Sequence, residues 1–259
     1  MNGTNFIDQS RRPMIFAHRG ASAHAPENTL CAFQLAIEHQ ADAVELDAKL
    51  SADGHVVVIH DQTVDRTTDA SGYVHELLLS TLQELDAGSF FHPRFAGERI
   101  PTLEQVFETI GKRIYINIEL TNYRTPYDSL PERVAELVVR HGLEDRVIIS
   151  SFLHLNIKRF HRLLPQVPVA ILAGSGLAGI AARSFLGRRV SPYVIHPHFS
   201  DVNPLMMQKE KAFGRKVNAW TVNDPQEIKR LLRLDIDGII TDVPLLTRQI
   251  VEQYQSGSG

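Results

Sequence analysis

Short β-branched or apolar runs alternate with longer amphipathic segments along almost the whole chain. This alternation is typical of strand–helix units, because a crossover between parallel strands needs a dozen or more residues and is usually helical. Eight such runs predict an α/β fold, the closed (β/α)8 TIM barrel. The predicted strands are Met14 to Ala17, Ala43 to Asp47, Ile114 to Glu119, Val147 to Ser151, Val169 to Leu172, Tyr193 to His196, Val217 to Thr221 and Gly238 to Thr241.

Each predicted strand except the second is followed directly by a segment with helical periodicity, and Asn28 is the candidate N-cap of the first helix. These alternating segments are what a barrel of strand–helix units requires. The predicted helices are Thr29 to His39, Thr102 to Ile110, Leu130 to His141, His154 to Leu164, Gly176 to Phe185, Pro204 to Phe213, Pro225 to Leu234 and Pro244 to Tyr254.

The segment after the second strand interrupts the alternation. Another β-branched run, His55 to His60, follows after only four residues, 51–54, which cannot carry a parallel crossover. We therefore expect a hairpin that returns His60 to about the level of Asp47. Residues 61–101 lack clear periodicity and are predicted to form a small compact insertion over the barrel mouth or flank.

Composition limits the class of protein. The 259 residues are 43% hydrophobic and 22% charged, which suits one barrel domain over residues 1–259 with a flexible C-terminal tail at 255–259. The net charge of −3 and the absence of a dense Lys/Arg run argue against general attraction to nucleic acid or anionic lipid. No apolar stretch reaches the roughly 20 residues of a transmembrane helix. The sequence does not specify an oligomeric state.

The predicted compartment is the cytoplasm. The polar start, Met1 to Arg12, lacks the apolar core of a secretory signal peptide, and the single cysteine, Cys31, cannot form an internal disulfide. Both features favour a reducing environment.

Three carboxylates lie at predicted strand ends. Glu45 and Asp47 are two residues apart and so share one side of a strand, and Glu119 ends the next barrel strand. Because loops at the carboxyl ends of barrel strands converge on one opening, we expect the three to meet. One divalent cation would relieve the repulsion among the three carboxylates. Mg²⁺ or Ca²⁺ is expected, and Mn²⁺ also suits oxygen ligands. Alternatively, Glu45 and Asp47 flank a turn and pair with Lys49 or Arg19.

Basic groups suited to phosphodiester chemistry end the same strands. His18 and His60 are the candidate acid and base, whereas His196 and His198 are interpreted as wall residues. Arg19 could hold a phosphate oxygen bidentately, or it could form a salt bridge with a site carboxylate.

Two aromatic residues are candidates for substrate contact. Period-two alternation can point Trp220 into the opening, where its indole could lie against a glycerol backbone; core packing is the alternative. Phe152, together with Phe90, Phe91 and Phe95, could provide an apolar entrance or pack the insertion.

Motifs spread over nearly the whole chain resemble those of the glycerophosphodiester phosphodiesterase family. They occur in family order and are together highly specific. The motifs are Ala17-His18-Arg19-Gly20, Pro26-Glu27-Asn28-Thr29, Val44-Glu45-Leu46-Asp47, Asp53-Gly54, His60-Asp61, Arg66-Thr67-Thr68, Ile100-Pro101-Thr102-Leu103, Asn117-Ile118-Glu119-Leu120, Ser150-Ser151-Phe152, Trp220-Thr221-Val222-Asn223 and Gly238-Ile239-Ile240-Thr241-Asp242.

The resemblance implies a TIM barrel with a small insertion, a divalent cation on Glu45, Asp47 and Glu119, and His18 with His60 as the acid/base pair. It also implies hydrolysis of a small glycerophosphodiester to sn-glycerol 3-phosphate and an alcohol such as choline or ethanolamine.

One position departs from the family pattern. The family resemblance implies a lysine two residues after the third carboxylate in many members, and this chain has Thr121 there. Loss of that ammonium would remove one source of charge stabilisation near the phosphate, although Arg124 could reach in from the loop. Thr121 leaves open a protein that binds glycerophosphodiesters without cleaving them. The apolar entrance that the four phenylalanines could form leaves open a lysophospholipase D acting on lysophospholipids.

Overall fold

The strands form one closed barrel. The computed structural model describes residues 13–257, so the polar start, Met1 to Arg12, lies outside the described part of the chain. Parallel pairing of β1 with both β2 and β9 closes the ring and confirms the predicted (β/α)8 TIM barrel. The strands are β1 Met14–His18, β2 Ala43–Leu50, β3 Val56–Val58, β4 Tyr115–Leu120, β5 Val147–Ser151, β6 Val169–Ala173, β7 Val194–Pro197, β8 Lys216–Ala219 and β9 Gly238–Thr241.

Helices surround the barrel, mostly where the periodicity predicts them. The α-helices of the described residues are α1 Leu30–Glu38, α2 Leu79–Glu84, α3 Leu103–Ile110, α4 Leu130–His141, α5 His154–Leu163, α6 Ile180–Arg183, α7 Phe185–Val190, α8 Pro204–Ala212, α9 Pro225–Arg233 and α10 Pro244–Ser256.

The prediction of one helix from Gly176 to Phe185 is wrong. That segment is a 3₁₀ turn followed by the short helices α6 and α7. The break occurs at Ser184, which has extended backbone and whose hydroxyl accepts a hydrogen bond from Gly187 N. Ser184 therefore caps a new helix rather than continuing the first.

The assignment of Asn28 as a helix cap is also wrong. Thr29 is the N-cap of α1, and its hydroxyl accepts a hydrogen bond from Ala32 N. Asn28 is in the left-handed backbone region at φ 59° and donates its side-chain amide to Asp47 Oδ2 at 2.9 Å. Asn28 has the residue type of a helix cap, but its side chain orients the carboxylate of Asp47 instead.

The predicted hairpin is present. β3 runs antiparallel to β2, with Ala48 opposite Val58, and Ile59 N donates to Asp47 O at 2.9 Å. His60 is therefore returned to the level of the carboxylates. The segment after it contains α2 and two 3₁₀ turns around an apolar cluster of its own, which includes Val64, Val74 and Leu82.

The last helix is longer than predicted. α10 continues through Ser256, so Gln255 and Ser256 are helical rather than part of the expected tail. Residues 258–259 lie outside the described residues.

The barrel interior changes from apolar to polar along the strands. Side chains two residues apart share a face, so Met14, Phe16 and His18 of β1 all point inward. Met14 and Phe16 pack in an apolar cluster with Ala43. Burial of each large apolar side chain contributes roughly 1.5–3 kcal/mol. The next inward positions are polar, which places the chemistry at the carboxyl ends of the strands.

The described residues contain no helix with the combined length and apolar character needed to cross a bilayer. The cytoplasmic location stays a prediction.

Candidate active site

Strand register brings the three predicted carboxylates together. Along the parallel ladders, His18 lies beside Glu45 and Asp47 lies beside Glu119. One carboxylate oxygen from each of Glu45, Asp47 and Glu119 lies within 4.8 Å of the other two. The hydrogen-bond register between neighbouring strands fixes these positions, so the cluster depends on the barrel itself and not on the conformation of one loop.

Glu45 and Asp47 are buried, Glu119 is partly buried, and the three acids act on one another. Burial, reinforced by the charges of Asp47 and Glu119, raises the pKa of Glu45 well above its usual range. Burial and the charge of Asp47 likewise raise the pKa of Glu119 to about 7. Burial acts in the same direction on Asp47, but the charges of Arg19, His60 and Lys49 outweigh it and hold the Asp47 pKa below its usual value.

The cluster has the chemistry of a divalent cation site. Glu45 Oε1 is buried and has no hydrogen-bond partner among the described residues. An unpartnered buried carboxylate oxygen is costly unless it is protonated or bound to a cation. Oxygen-only ligands suit Mg²⁺, Ca²⁺ or Mn²⁺. Tyr123 orients the third acid by donating its hydroxyl to Glu119 Oε1 at 2.5 Å.

Both candidate histidines are oriented by a carboxylate on the same ring nitrogen. His18 Nδ1 lies 2.7 Å from Asp242 Oδ1, and His60 Nδ1 lies 2.6 Å from Asp61 Oδ1. An ionised carboxylate only accepts, so Nδ1 carries the proton and Nε2 is left for chemistry. His18 Nε2 lies 3.9 Å from Glu45 Oε2, so that ring faces the acid cluster.

The two partner carboxylates are held ionised. Burial acts to raise the pKa of Asp242, but its hydrogen bond to His18 and the charge of that ring outweigh burial and lower the pKa to about 2. The Arg66 hydrogen bond is the main reason that the pKa of Asp61 is lowered to about 2.

A tight turn after β1 aims the main chain at the cluster. Arg19 and Gly20 both have positive φ, 56° and 86°, and Arg19 N donates to Glu45 Oε2 at 3.1 Å. A Cβ at Gly20 would lie 2.7 Å from the carbonyl carbon of Ala32. Glycine is required at this position by both the backbone conformation and the close approach of α1.

A chain of alternating charges runs from the barrel to the inserted segment. Arg19 Nε lies 3.3 Å from Asp47 Oδ2, and Arg19 Nη1 donates to Glu27 Oε1 at 3.0 Å. Arg66 then joins Glu27 to Asp61, at 2.7 Å to each. Arg19 therefore forms the salt bridge with a site carboxylate that is one of the two predictions for it. Contact between Arg19 and a phosphate stays a prediction.

Lys49 places an ammonium beside Thr121 from a different strand. Lys49 points inward two residues beyond Asp47, and its Nζ donates to Thr121 Oγ1 at 2.5 Å and to His60 O at 2.6 Å. Burial lowers the pKa of Lys49 to about 8, although the charges of Asp47 and Glu119 oppose the shift. A positive group therefore lies beneath the acid cluster despite Thr121.

Phe152 and Trp220 lie in one row of rings beside the cluster. Phe152 is 6.2 Å from Tyr123 and 5.5 Å from Trp220, between ring centroids, and Trp220 is 5.4 Å from His198. The Trp220 indole N–H donates to His196 O at 2.8 Å. Phe90, Phe91 and Phe95 instead pack against one another in the inserted segment.

Two cavities are relevant to the choice of site. One of about 280 Å³ opens beside the paired histidine on β1 and is lined by His18, Arg19, Ser22, Ala23, Glu27, Asn223, Asp242 and Val243. A larger one of about 600 Å³ lies on the barrel flank between α6, α7 and α8, away from the acid cluster. His196 lines neither cavity. Its burial lowers the pKa of the imidazole to about 3.

Several residues of the arrangement were not assigned from the sequence. Asp242 and Glu27 lie in recognised motifs, but their pairing with His18 and Arg19 depends on contacts across the barrel. Tyr123 follows Glu119 by four residues and carried no separate signal. Asp61 adjoins His60, so its role as a ring partner was accessible from the sequence.

The comparison with known protein families decides the classification. A model of the glycerophosphoryl diester phosphodiesterase family matches residues 18–246. The chain belongs to this family.

Relatives within the glycerophosphoryl diester phosphodiesterase family cover nearly the whole chain. A glycerophosphodiester phosphodiesterase from Caldanaerobacter subterraneus is 40% identical over 90% of this chain and 95% of its own. One from Bacillus altitudinis is 36% identical over 93% of this chain and 99% of its own. A structure of a phosphodiesterase from Oleispira antarctica, in complex with the product sn-glycerol-3-phosphate, has a TM-score of 0.85 at 30% identity and covers 93% and 97% of the two chains.

Proposed function

We propose that this family member hydrolyses small glycerophosphodiesters to sn-glycerol 3-phosphate and an alcohol, with one divalent cation and with His18 and His60 as general acid and base. The observation that carries the proposal is the matched pair of histidines, each bound through Nδ1 to a carboxylate. This pairing fixes the tautomer and stabilises the imidazolium that forms when the ring takes up a proton.

Each histidine can then move one proton at Nε2. One ring accepts the proton of the nucleophile, and the other donates a proton to the leaving alcohol oxygen. If water is the nucleophile, one displacement gives both products. If a glycerol hydroxyl attacks, it releases the alcohol and forms a cyclic phosphate, which water then opens in a second displacement in which the two histidines exchange their roles as acid and base.

Glu45, Asp47 and Glu119 would hold the cation, and Mg²⁺, Ca²⁺ and Mn²⁺ all suit these oxygens. When bound, the cation would neutralise charge that develops on the phosphate oxygens. The unpartnered Glu45 Oε1 supports this assignment.

Arg19 and Lys49 would supply the remaining positive charge. Arg19 is held at the cluster by Asp47 and Glu27 and can present guanidinium N–H groups to a phosphate. Lys49 would provide the ammonium that many relatives take from the position of Thr121. We place the aromatic row of Phe152 and Trp220 against the glycerol or alcohol part of the substrate.

The direct test measures products from three substrates. Purified protein with Mg²⁺, Ca²⁺ or Mn²⁺ is incubated with glycerophosphocholine, glycerophosphoethanolamine or lysophosphatidylcholine. We expect release of sn-glycerol 3-phosphate from the first two. Release of lysophosphatidic acid alone would favour the lysophospholipase D alternative, and binding without any product would favour the non-catalytic one.

The role of Lys49 gives a separate prediction. Lys49→Met is expected to lower kcat for glycerophosphocholine roughly 10²–10³-fold, the scale for loss of one preorganised hydrogen-bond donor at a transition state. The double variant Lys49→Met, Thr121→Lys is expected to recover most of the loss, because it restores an ammonium in the same space. Steady-state kinetics with thermal unfolding of each variant provides the measurement. A double variant as slow as the single one would contradict the assignment.

A further inference from the structure

The segment after β6 exposes four large apolar side chains. Leu177 is 85% exposed, Leu186 69%, Phe185 64% and Ile180 54%. These four residues lie within ten positions and belong to the 3₁₀ turn, α6 and α7. Contiguous exposed apolar side chains of this size commonly mark an interaction surface.

Every Asp, Glu, Lys or Arg position in the stretch of sequence around this segment is a Lys or an Arg. Residues 146–200 contain no Asp or Glu, although the whole chain has a net charge of −3. The cations of this stretch are Arg146, Lys158, Arg159, Arg162, Arg183, Arg188 and Arg189.

Some of these cations are already used within the protein, and others are free to meet an anion. Arg159 pairs with Glu132, and Arg188 pairs with Glu210. Lys158, Arg162 and Arg189 have no carboxylate partner within the part of the chain that the structure describes. All three are exposed.

The free cations lie on the helix that carries Phe185 and Leu186 or on a helix that packs against it. α5, which carries Lys158 and Arg162, packs against α7. On α7, the guanidinium carbon of Arg189 lies 5.0 Å from the centroid of the Phe185 ring. We call this set the apolar–basic face and define it as Leu177, Ile180, Phe185, Leu186, Lys158, Arg162 and Arg189.

We propose that the apolar–basic face binds the surface of a membrane that contains anionic phospholipid. Apolar side chains surrounded by Lys and Arg match the two layers of such a surface, the acyl boundary and the negative head groups. The segment begins at the carboxyl end of β6, the end of the barrel that holds the acid cluster.

Vesicle co-sedimentation tests this proposal without depending on catalysis. The probes are unilamellar vesicles of phosphatidylcholine alone and vesicles containing roughly one third phosphatidylglycerol. We expect the full chain to bind the anionic vesicles, and we expect binding to weaken when the salt concentration is raised from about 0.1 M to about 0.5 M. No binding to anionic vesicles at low salt would overturn the proposal, whatever the hydrolysis assay shows.

Paired variants locate the binding surface. Phe185→Ser with Leu186→Ser is expected to lower the vesicle partition coefficient at least about tenfold, and Arg189→Gln about fivefold. Leu78→Ser is the matched control, since Leu78 is an exposed leucine of the inserted segment that follows β3 and is not part of the apolar–basic face. All three should hydrolyse soluble glycerophosphocholine at the rate of the unmodified protein, which also reports correct folding.

Two results would contradict the location. Full vesicle binding by the Phe185→Ser, Leu186→Ser protein would show that lipid contacts another surface. A dimer on size-exclusion chromatography that this double variant dissociates, with no vesicle binding by either protein, would assign the face to a second copy of the chain.

Discussion

Replacement of His18 by alanine is expected to lower kcat for glycerophosphocholine about 10²–10⁴-fold, and replacement of His60 by alanine should have an effect of the same size. In the proposed mechanism, each change removes one of the two Nε2 atoms that would exchange protons with the substrate. Because His18 and His60 both keep a carboxylate at Nδ1, neither can take over the other's position. The combined variant is expected to be little slower than the worse single variant, since the two groups act in one reaction.

The measurement needs a histidine control from the same region. His24 is exposed, follows β1 by six residues and packs edge-on against His39 rather than against the acid cluster. His24→Ala should keep kcat unchanged, and circular dichroism should be the same for all variants. Wild-type turnover by His18→Ala or His60→Ala would remove that residue from the mechanism.

Removal of divalent cations is expected to lower turnover at least about 10²-fold, because stabilisation of phosphate charge by a metal ion is worth several kcal/mol. Protein dialysed against EDTA should regain activity on addition of Mg²⁺, Ca²⁺ or Mn²⁺, and titration calorimetry should give one site per chain. Glu119→Gln should weaken binding of the cation, since it removes one of three oxygen ligands with negative charge.

A surface acid provides the control for the metal prediction. Glu104 pairs with Arg140 on the outside of the barrel, so Glu104→Gln should bind the cation as the unmodified protein does. Full activity of EDTA-treated protein, with metal analysis showing far less than one ion per chain, would contradict the assignment of the three carboxylates.

The barrel and the acid cluster could be predicted because both depend on short periodicities. Side chains alternate between the two faces of a strand, so Glu45 and Asp47 share one face. The position of Glu119 beside them could be predicted by placing the next barrel strand next to theirs. The hairpin was accessible for a similar reason, since residues 51–54 are too few for any other connection.

Contacts between distant parts of the chain could not be predicted from such local patterns. Asp242 meets His18 across 224 positions, and Lys49 fills the space beside Thr121 from a different strand. The break at Ser184 was missed because a serine within an apolar segment is compatible with both a helix interior and a new N-cap. The net charge of the whole chain also gave no indication of the basic stretch at 146–200, because the acidic residues elsewhere in the sequence outnumber the basic ones.

The pairing of His18 with Asp242 means that β1 and the residue following β9, from opposite ends of the barrel sequence, together build the histidine–carboxylate pair to which we assign proton transfer. A nascent chain emerging from the ribosome would therefore lack this group until its final strand has docked. Turnover would then serve as a readout of ring closure during synthesis, and a circular permutant joined at other loops should acquire activity at a different point in its translation.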